Sequence, residues 1–360
     1  MYVQEDRVLI TMSSFSFNFL DNSTTAAEGD VTSSSPSLPL ASHHAKPITK
    51  PHVWVQNLRE RIESLQTKNY EFDSIVLGPS TSLWHVRENN EGAQRQFRNS
   101  DLVSGVYEGG LKVWECSLDL CRYLLQHNIQ PRGMILELGC GHGLPGILCL
   151  QQAWQRGDAT TNVYLTDFNE FVIDDVTIPN IVINLGNKNN IPHGEDPMDT
   201  GEGKEPDSKR SEEEDTRLRQ WLSRHVALGS GDWNDLSRQL KESTDEARPP
   251  LSIIDSNSQS DLFDVILAAE TTYSLEAATD TARFLANHLN VGGVAYIATK
   301  RYYFGVGGGS DSFQAAISSF SSIATLTIEN IAVFDNGREN IRDLFRVQCM
   351  SRASTGSTNN

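Results

Sequence analysis

Fifteen residues, MILELGCGHGLPGIL from Met134 to Leu148, restrict the fold of this chain more than any other stretch. An apolar run ends in four glycines within eight residues, and a helical pattern follows. A strand, glycine turn and helix in this order bring bare backbone N–H groups up to a ligand, beside the positive end of the helix. Gly141-x-Gly143-x-x-Gly146 also satisfies the dinucleotide fingerprint, so a nicotinamide oxidoreductase is one candidate. Asp167 ends the next apolar run, NVYLTD, where a carboxylate can grip a ribose diol. NAD and S-adenosylmethionine both carry that diol, so Asp167 does not separate them.

The same alternation runs on. The stretches FDVILAAE and GVAYIATK read as buried strands, and NEFVIDDVTIPNIVINLG and Leu275 to Leu289 read as helices. Upstream, Trp114, Leu118, Cys121 and Leu125 recur at helical spacing. Continuous apolar strands separated by helices predict a mostly parallel α/β sheet covered on both faces, with its ligand at the strands' C-terminal ends near the switch in strand order. ATLTIENIAVF and IRDLFRVQCM, joined through Asn336-Gly337, predict a hairpin that makes the last strand antiparallel. The third strand has the weakest signal, because RHVALGSGDW is less apolar than the others.

Composition divides the rest. Residues 1–51 form a tail rich in Ser, Thr, Pro and Ala and are expected to be disordered, as are residues 351–360. Residues 52–100, with a helical rhythm in VWVQNLRERIESLQ, read as an extension packed on a main domain at 101–350. That domain carries a polar insert at 187–215, also expected to be disordered. Between Glu195 and Asp215 ten acids against three bases give −7 of the chain's −17. Such a balance disfavours direct nucleic acid contact and suits a basic protein partner.

Five cysteines without a CxxC pair read as buried thiols, and no metal is expected. No window approaches the roughly 18 apolar residues of a membrane helix, and the N-terminus lacks the pattern of a secretory signal. We expect a location in cytoplasm and nucleus and, separately from these features, a monomer.

In order along the chain, YEGGLKVWEC, ELGCGHGLPGI, LTDFN, GDW, AAETTY and KRYYFGVGGG resemble the histidine protein methyltransferase branch of the seven-strand (class I) S-adenosylmethionine-dependent protein methyltransferases. The resemblance spans Asp101 to Met350 apart from the insert, and SFSFNF near the N-terminus is similar too. It implies a Rossmann-like seven-stranded sheet with S-adenosylmethionine as cofactor. Lys112, Trp114 and Glu115 would line the cofactor pocket, and Glu137 would supply an acidic neighbourhood for the cofactor's ammonium. Gly139, Cys140 and Gly141 would face the methionine part, and Asp167 and Asn169, with Asn180 nearby, the ribose; Gly143 would also bind the cofactor. Gly231, Asp232 and Trp233 would flank the adenine, and Ala269 would also bind the cofactor. His142 reads as an exposed loop histidine.

The resemblance makes Glu270 and Tyr273 catalytic: the acid fixes the imidazole tautomer or absorbs its developing charge, and the aromatic ring walls the slot. Neutral histidine, with a pKa of about 6.5, is already nucleophilic, whereas lysine, at about 10.4, must first lose a proton. The acid-x-x-aromatic motif occurs in both kinds of enzyme, so histidine rests on the flanking similarity. That similarity further implies a histidine of a large-subunit ribosomal protein and a role in ribosome assembly or translation. A lysine methyltransferase of this fold, or a non-catalytic assembly factor, are the alternatives. YYFGVGGG reads as a mobile substrate lip, with Lys300 and Arg301 solvated at its base.

Overall fold

The computed structural model describes residues 50–65, 70, 72–79, 81–87, 106–186, 212–242, 262–337 and 340–353. Residues 1–49 and 354–360 of the tails, the SFSFNF stretch and most of the insert lie outside them, whereas Lys50, Pro51 and residues 351–353, expected to be disordered, are described.

An eight-stranded sheet forms the centre. Strand β4 (Met134–Leu138) lies in the middle, with β5 (Asn162–Asp167) and β6 (Val226–Ser230) on one side and β7 (Phe263–Ala269) and β8 (Leu289–Lys300) on the other. These five are parallel throughout. The order therefore reverses on either side of β4, which is the switch the sequence predicts. Strand β10 (Arg342–Arg352) slots between β8 and β9 (Ala324–Phe334), antiparallel to both. These seven make the Rossmann-like seven-stranded sheet that the resemblance implies. An eighth, β1 (Val53–Trp54), is added by the extension and pairs antiparallel with β6.

Helix α1 (Leu58–Ser64) accounts for only part of the helical rhythm near residue 53, because edge pairing with β6 holds Val53 and Trp54 extended. The hairpin β2 (Phe72–Gly78) and β3 (Thr81–Val86) completes the extension. It is fastened to the main domain by amides: Asn180 Oδ1 accepts from the Val86 N–H at 2.7 Å, and Asn184 bonds both main-chain groups of Trp84.

Helices α2 (Glu115–Gln126) and α3 (Leu144–Gln155) cover one face. So does α4, in which Glu170–Val172 passes through a π-helical turn, Ile173–Thr177, into Ile178–Gly186. Helix α5 (Glu212–His225) starts inside the span expected to be disordered, so the insert ends by 211. On the other face, α6 (Trp233–Glu242), α7 (Leu275–His288) and α8 (Ser310–Ser318) pack over Leu136, Leu138, Ile266 and Ile297. Successive side chains of β4 alternate between the two cores, with Ile135 on the first and Leu136 on the second. Parity thus sends Glu137 towards α3.

Helix α3 can approach the sheet only because residue 146 has no side chain. A Cβ on Gly146 would lie 2.5 Å from Leu165 Cδ2 and 2.6 Å from Glu137 Oε2. Gly146→Ala is therefore expected to destabilise the chain by about 1–3 kcal/mol through overpacking. Denaturant titration checks this, and an unchanged midpoint would show that the helix shifts freely.

Candidate active site

Every element of the candidate site emerges from the same edge of the sheet, because parallel strands deliver their C-terminal ends together. After β4, Gly139, Gly141 and Gly143 adopt φ of +60°, +51° and +69°. These left-handed values turn the chain sharply into α3, with Gly143 at its N-cap. Cys140 is buried between them, its N–H donating to Thr166 O at 2.9 Å and its thiol beside Thr177 Oγ1. Asp167, at the end of β5, accepts from the Gly141 N–H at 3.0 Å and from the Asn169 N–H at 3.0 Å. Burial pushes its carboxyl above the usual range, and these backbone bonds oppose that shift. A carboxylate offers about four lone-pair sites, more than these backbone bonds fill, so capacity remains for a ligand diol.

Gly139 is where three motifs meet. A Cβ there would lie 3.2 Å from Thr271 Cγ2, after β7, and 3.4 Å from Trp233 Cζ2, after β6. Thr271 Oγ1 is buried without a hydrogen-bond partner. A bare main chain, an aromatic edge and an unpartnered hydroxyl converge on one spot, the composition of a cradle for a polar small molecule.

Several residues expected around the cofactor do other work. Glu137 is 2% exposed and accepts from the Gly146 N–H at 2.8 Å, so it anchors the first turn of α3 from behind the loop and offers no acid to a ligand. The Asn169 amide donates to the Val106 carbonyl and accepts from the Glu108 N–H, which ties it to the segment before α2. Asn180 holds the hairpin and the His142 carbonyl. His142 is buried, contrary to its reading as exposed. Its Nδ1 faces the Asn180 amide, its Nε2 donates to Leu111 O at 3.2 Å, and burial lowers its pKa to about 3. Gly231 exists for packing: the extension crosses it so closely that a Cβ would sit 2.5 Å from His52 Cα. Asp232 caps α6 by accepting from the Asn234 N–H, which leaves Trp233 as the member of its motif that reaches the glycine loop.

Burial raises the Glu137 pKa to about 8. The folded chain then holds a proton that the unfolded chain loses near 4.5, so this group's contribution to stability is complete below about pH 4.5 and is lost as pH rises through about 8. Glu137→Gln keeps the acceptor for Gly146 and removes the titration. Its melting temperature should depend less on pH across that window than the wild type's, as thermal unfolding at several pH values will show. Parallel curves would remove Glu137 as the source.

At the end of β7 the geometry changes character. Glu270 has φ +61°, a left-handed backbone that few non-glycine residues adopt. Its Oε2 accepts from the Tyr303 hydroxyl, while Oε1 is buried with no hydrogen-bond donor and stands 3.4 Å from Lys300 Nζ. Lys300, the last residue of β8, also stands 3.7 Å from Glu115 Oε2. Trp114, the N-cap of α2, donates from Nε1 to Gly109 O and carries the Lys112 ammonium over its ring. Lys112, Trp114 and Glu115 therefore assemble with Glu270 on the fourth- and fifth-strand side. Ala269 precedes Glu270 and is partly buried.

The Tyr273 hydroxyl donates to Glu108 Oε2, which with burial raises its pKa far above the usual value. The glycine-rich loop is docked at its far end: Gly309 N–H donates to Thr272 O at 2.9 Å, and a Cβ on Gly308 would overlap the Thr272 carbonyl. Its tip exposes Tyr302 and Phe304. Arg301 forms a two-point bond with Asp343 and is structural.

Lys300, Tyr303, Glu108 and Thr271 were not singled out as site residues from sequence. The available signal was positional: Lys300 ends its strand as Asp167 ends β5. Lys50 was missed too. It donates to Phe168 O at 2.8 Å and lies over that ring next to Asp167. Among the described residues no cluster of metal ligands occurs, and no helix is long and apolar enough to cross a membrane. All five cysteines are free and buried.

A family model described as lysine methyltransferase matches residues 101–211. The chain is 31% identical to the histidine protein methyltransferase 1 homolog of Dictyostelium discoideum over 71% of its own length and 62% of that protein. Its identity to the corresponding Bos taurus protein is 31%, covering 82% of this chain and 70% of the relative. For Mus musculus the figures are 31%, 84% and 73%. The chain thus spans less than two thirds of the Dictyostelium protein and somewhat more of the mammalian ones.

Proposed function

The chain belongs to the histidine protein methyltransferase family, and we propose that it uses S-adenosylmethionine to methylate a ring nitrogen of a histidine in a protein substrate. The finer reading is a histidine of a basic large-subunit ribosomal protein, with an effect on ribosome assembly or translation. The observation that carries the reading is Glu270, a buried carboxylate whose Oε1 receives no well-aligned hydrogen bond and pairs with the Lys300 ammonium at 3.4 Å, one residue from the Thr271 that borders the Gly139 cradle.

The residues present fit the cofactor. Gly139 presents bare main chain between Thr271 and Trp233, Thr271 Oγ1 lacks a partner, Asp167 retains lone pairs for a diol and Trp233 offers an aromatic edge. When bound, S-adenosylmethionine supplies a methyl group on a positively charged sulfur. The protein's share is orientation and exclusion of water. Glu270 Oε1 accepts the N–H of a neutral imidazole, which fixes the tautomer and aims the other nitrogen's lone pair outwards. The same carboxylate offsets the positive charge that develops on the ring. Tyr303 and Lys300 hold Glu270 in place. Tyr273, fastened to Glu108, walls the slot.

A second reading, lysine as acceptor, is favoured by the description of the matching family model. Incubating the chain with isotopically labelled cofactor and large-subunit ribosomal proteins, followed by residue-level mass spectrometry, tests both. Label on a histidine ring is the expected result. Label on lysine alone would establish the second reading, and no transfer despite retained binding of S-adenosylhomocysteine would indicate a non-catalytic factor.

A further inference from the structure

Lys300 has no role in the resemblance, yet its surroundings are unusual. Its side chain is 7% exposed and its ammonium lies 4.6 Å from the centre of the Trp114 ring and 5.8 Å from that of Tyr303. Glu270 and Glu115 flank it at 3.4 and 3.7 Å, each with one buried oxygen that receives no hydrogen bond. Two carboxylates between aromatic faces are the chemistry that captures an ammonium ion. Here the chain fills that place with its own lysine.

We propose that Lys300 determines acceptor specificity: it occupies the ammonium subsite beside Glu270 and so restricts the acceptor to an uncharged nitrogen base. The inference rests on the histidine reading above. Lys112 adds a second cation on the Trp114 ring, and Glu270 and Glu115 both pair with Lys300, so a substrate ammonium would meet a cation already in place. Burial works against the charge on Lys300, but Glu270 and Glu115 outweigh it and keep the group cationic. In a water-poor site the repulsion of a substrate ammonium is poorly screened. Lysine must then enter as the free amine, which at pH 7 is about one molecule in 10³, whereas most histidine is already neutral. That ratio suffices for selection between the two side chains.

The test uses the full chain saturated with S-adenosylhomocysteine and three peptides built on the histidine that the wild type methylates: the parent, its histidine-to-lysine analogue and its histidine-to-glutamine analogue. At pH 7 the wild type should bind the lysine peptide at least about tenfold more weakly than the glutamine peptide, the size expected of one unscreened like-charge contact. Lys300→Met should tighten lysine-peptide binding about tenfold or more, with little change for glutamine, and Lys300→Arg should behave as the wild type. Equal binding of lysine and glutamine peptides by the wild type overturns the proposal without any variant. So does a folded Lys300→Met chain whose preference is unchanged. Methyl transfer by the wild type to lysine would sink the histidine reading as well, whereas histidine transfer with either of the former results sinks this inference alone.

Discussion

Asp167→Ala is expected to weaken binding of S-adenosylhomocysteine by about 100-fold or more. The side chain has two tasks, and alanine removes both. It presents a carboxylate at the tip of β5, and it receives the N–H groups of Gly141 and Asn169. Each buried donor left without an acceptor costs about 1–3 kcal/mol, so the glycine loop loses the contact that sets its height above the sheet. Asp167→Asn should fall between the two, since its amide oxygen replaces one acceptor while its NH₂ meets a second donor. Calorimetry with S-adenosylhomocysteine reads the effect directly. An alanine variant that binds within about threefold of the wild type would exclude Asp167 from the cofactor site, and the enzymatic account would go with it.

Glu270→Gln is expected to lower turnover by about 10²-fold or more with cofactor affinity nearly unchanged, because the amide keeps the shape but cannot offset charge on the acceptor ring. Glu270→Ala adds a structural cost. It leaves Lys300 with Glu115 as its remaining carboxylate neighbour at 3.7 Å, and breaking a buried ion pair costs about 3–5 kcal/mol when no other partner exists. The loss here should fall at or below the lower end of that range. Glu270→Gly loses the same partner but relieves the left-handed backbone, worth about 1–2 kcal/mol. Of the two inactive variants the glycine one should therefore melt at the higher temperature. The reverse order would mean that φ of +61° is not strained, and full activity in Glu270→Gln would remove the carboxylate from the mechanism.

Little of the candidate site's wiring is local. His142 is legible as a loop residue, but its burial depends on Leu111 and on Asn180, 38 positions away. Asn169 follows the acid that grips the glycine loop, yet it turns back to residues 106–108, 61 positions upstream. Glu137 sits in the motif that announces a ligand, and strand parity points it away from that ligand. Its place one residue before Leu138 already implied that side of the sheet. The missing knowledge was which face the loop overhangs.

Patterns confined to a few neighbouring residues were enough to establish the parallel sheet, the turn after β4, the acids ending β5 and following β7, and the antiparallel closing hairpin. Apolar runs, glycine freedom and turn dipeptides act within one element, so they survive in a one-dimensional reading. Long-range packing assigned the partners: Trp233 to Gly139, Lys300 to both Glu115 and Glu270, and Tyr273 to Glu108. Those pairs join segments up to 185 residues apart, as Glu115 and Lys300 are. A buried charge takes whichever partner the fold sets beside it, because leaving it alone costs more than any local preference can return.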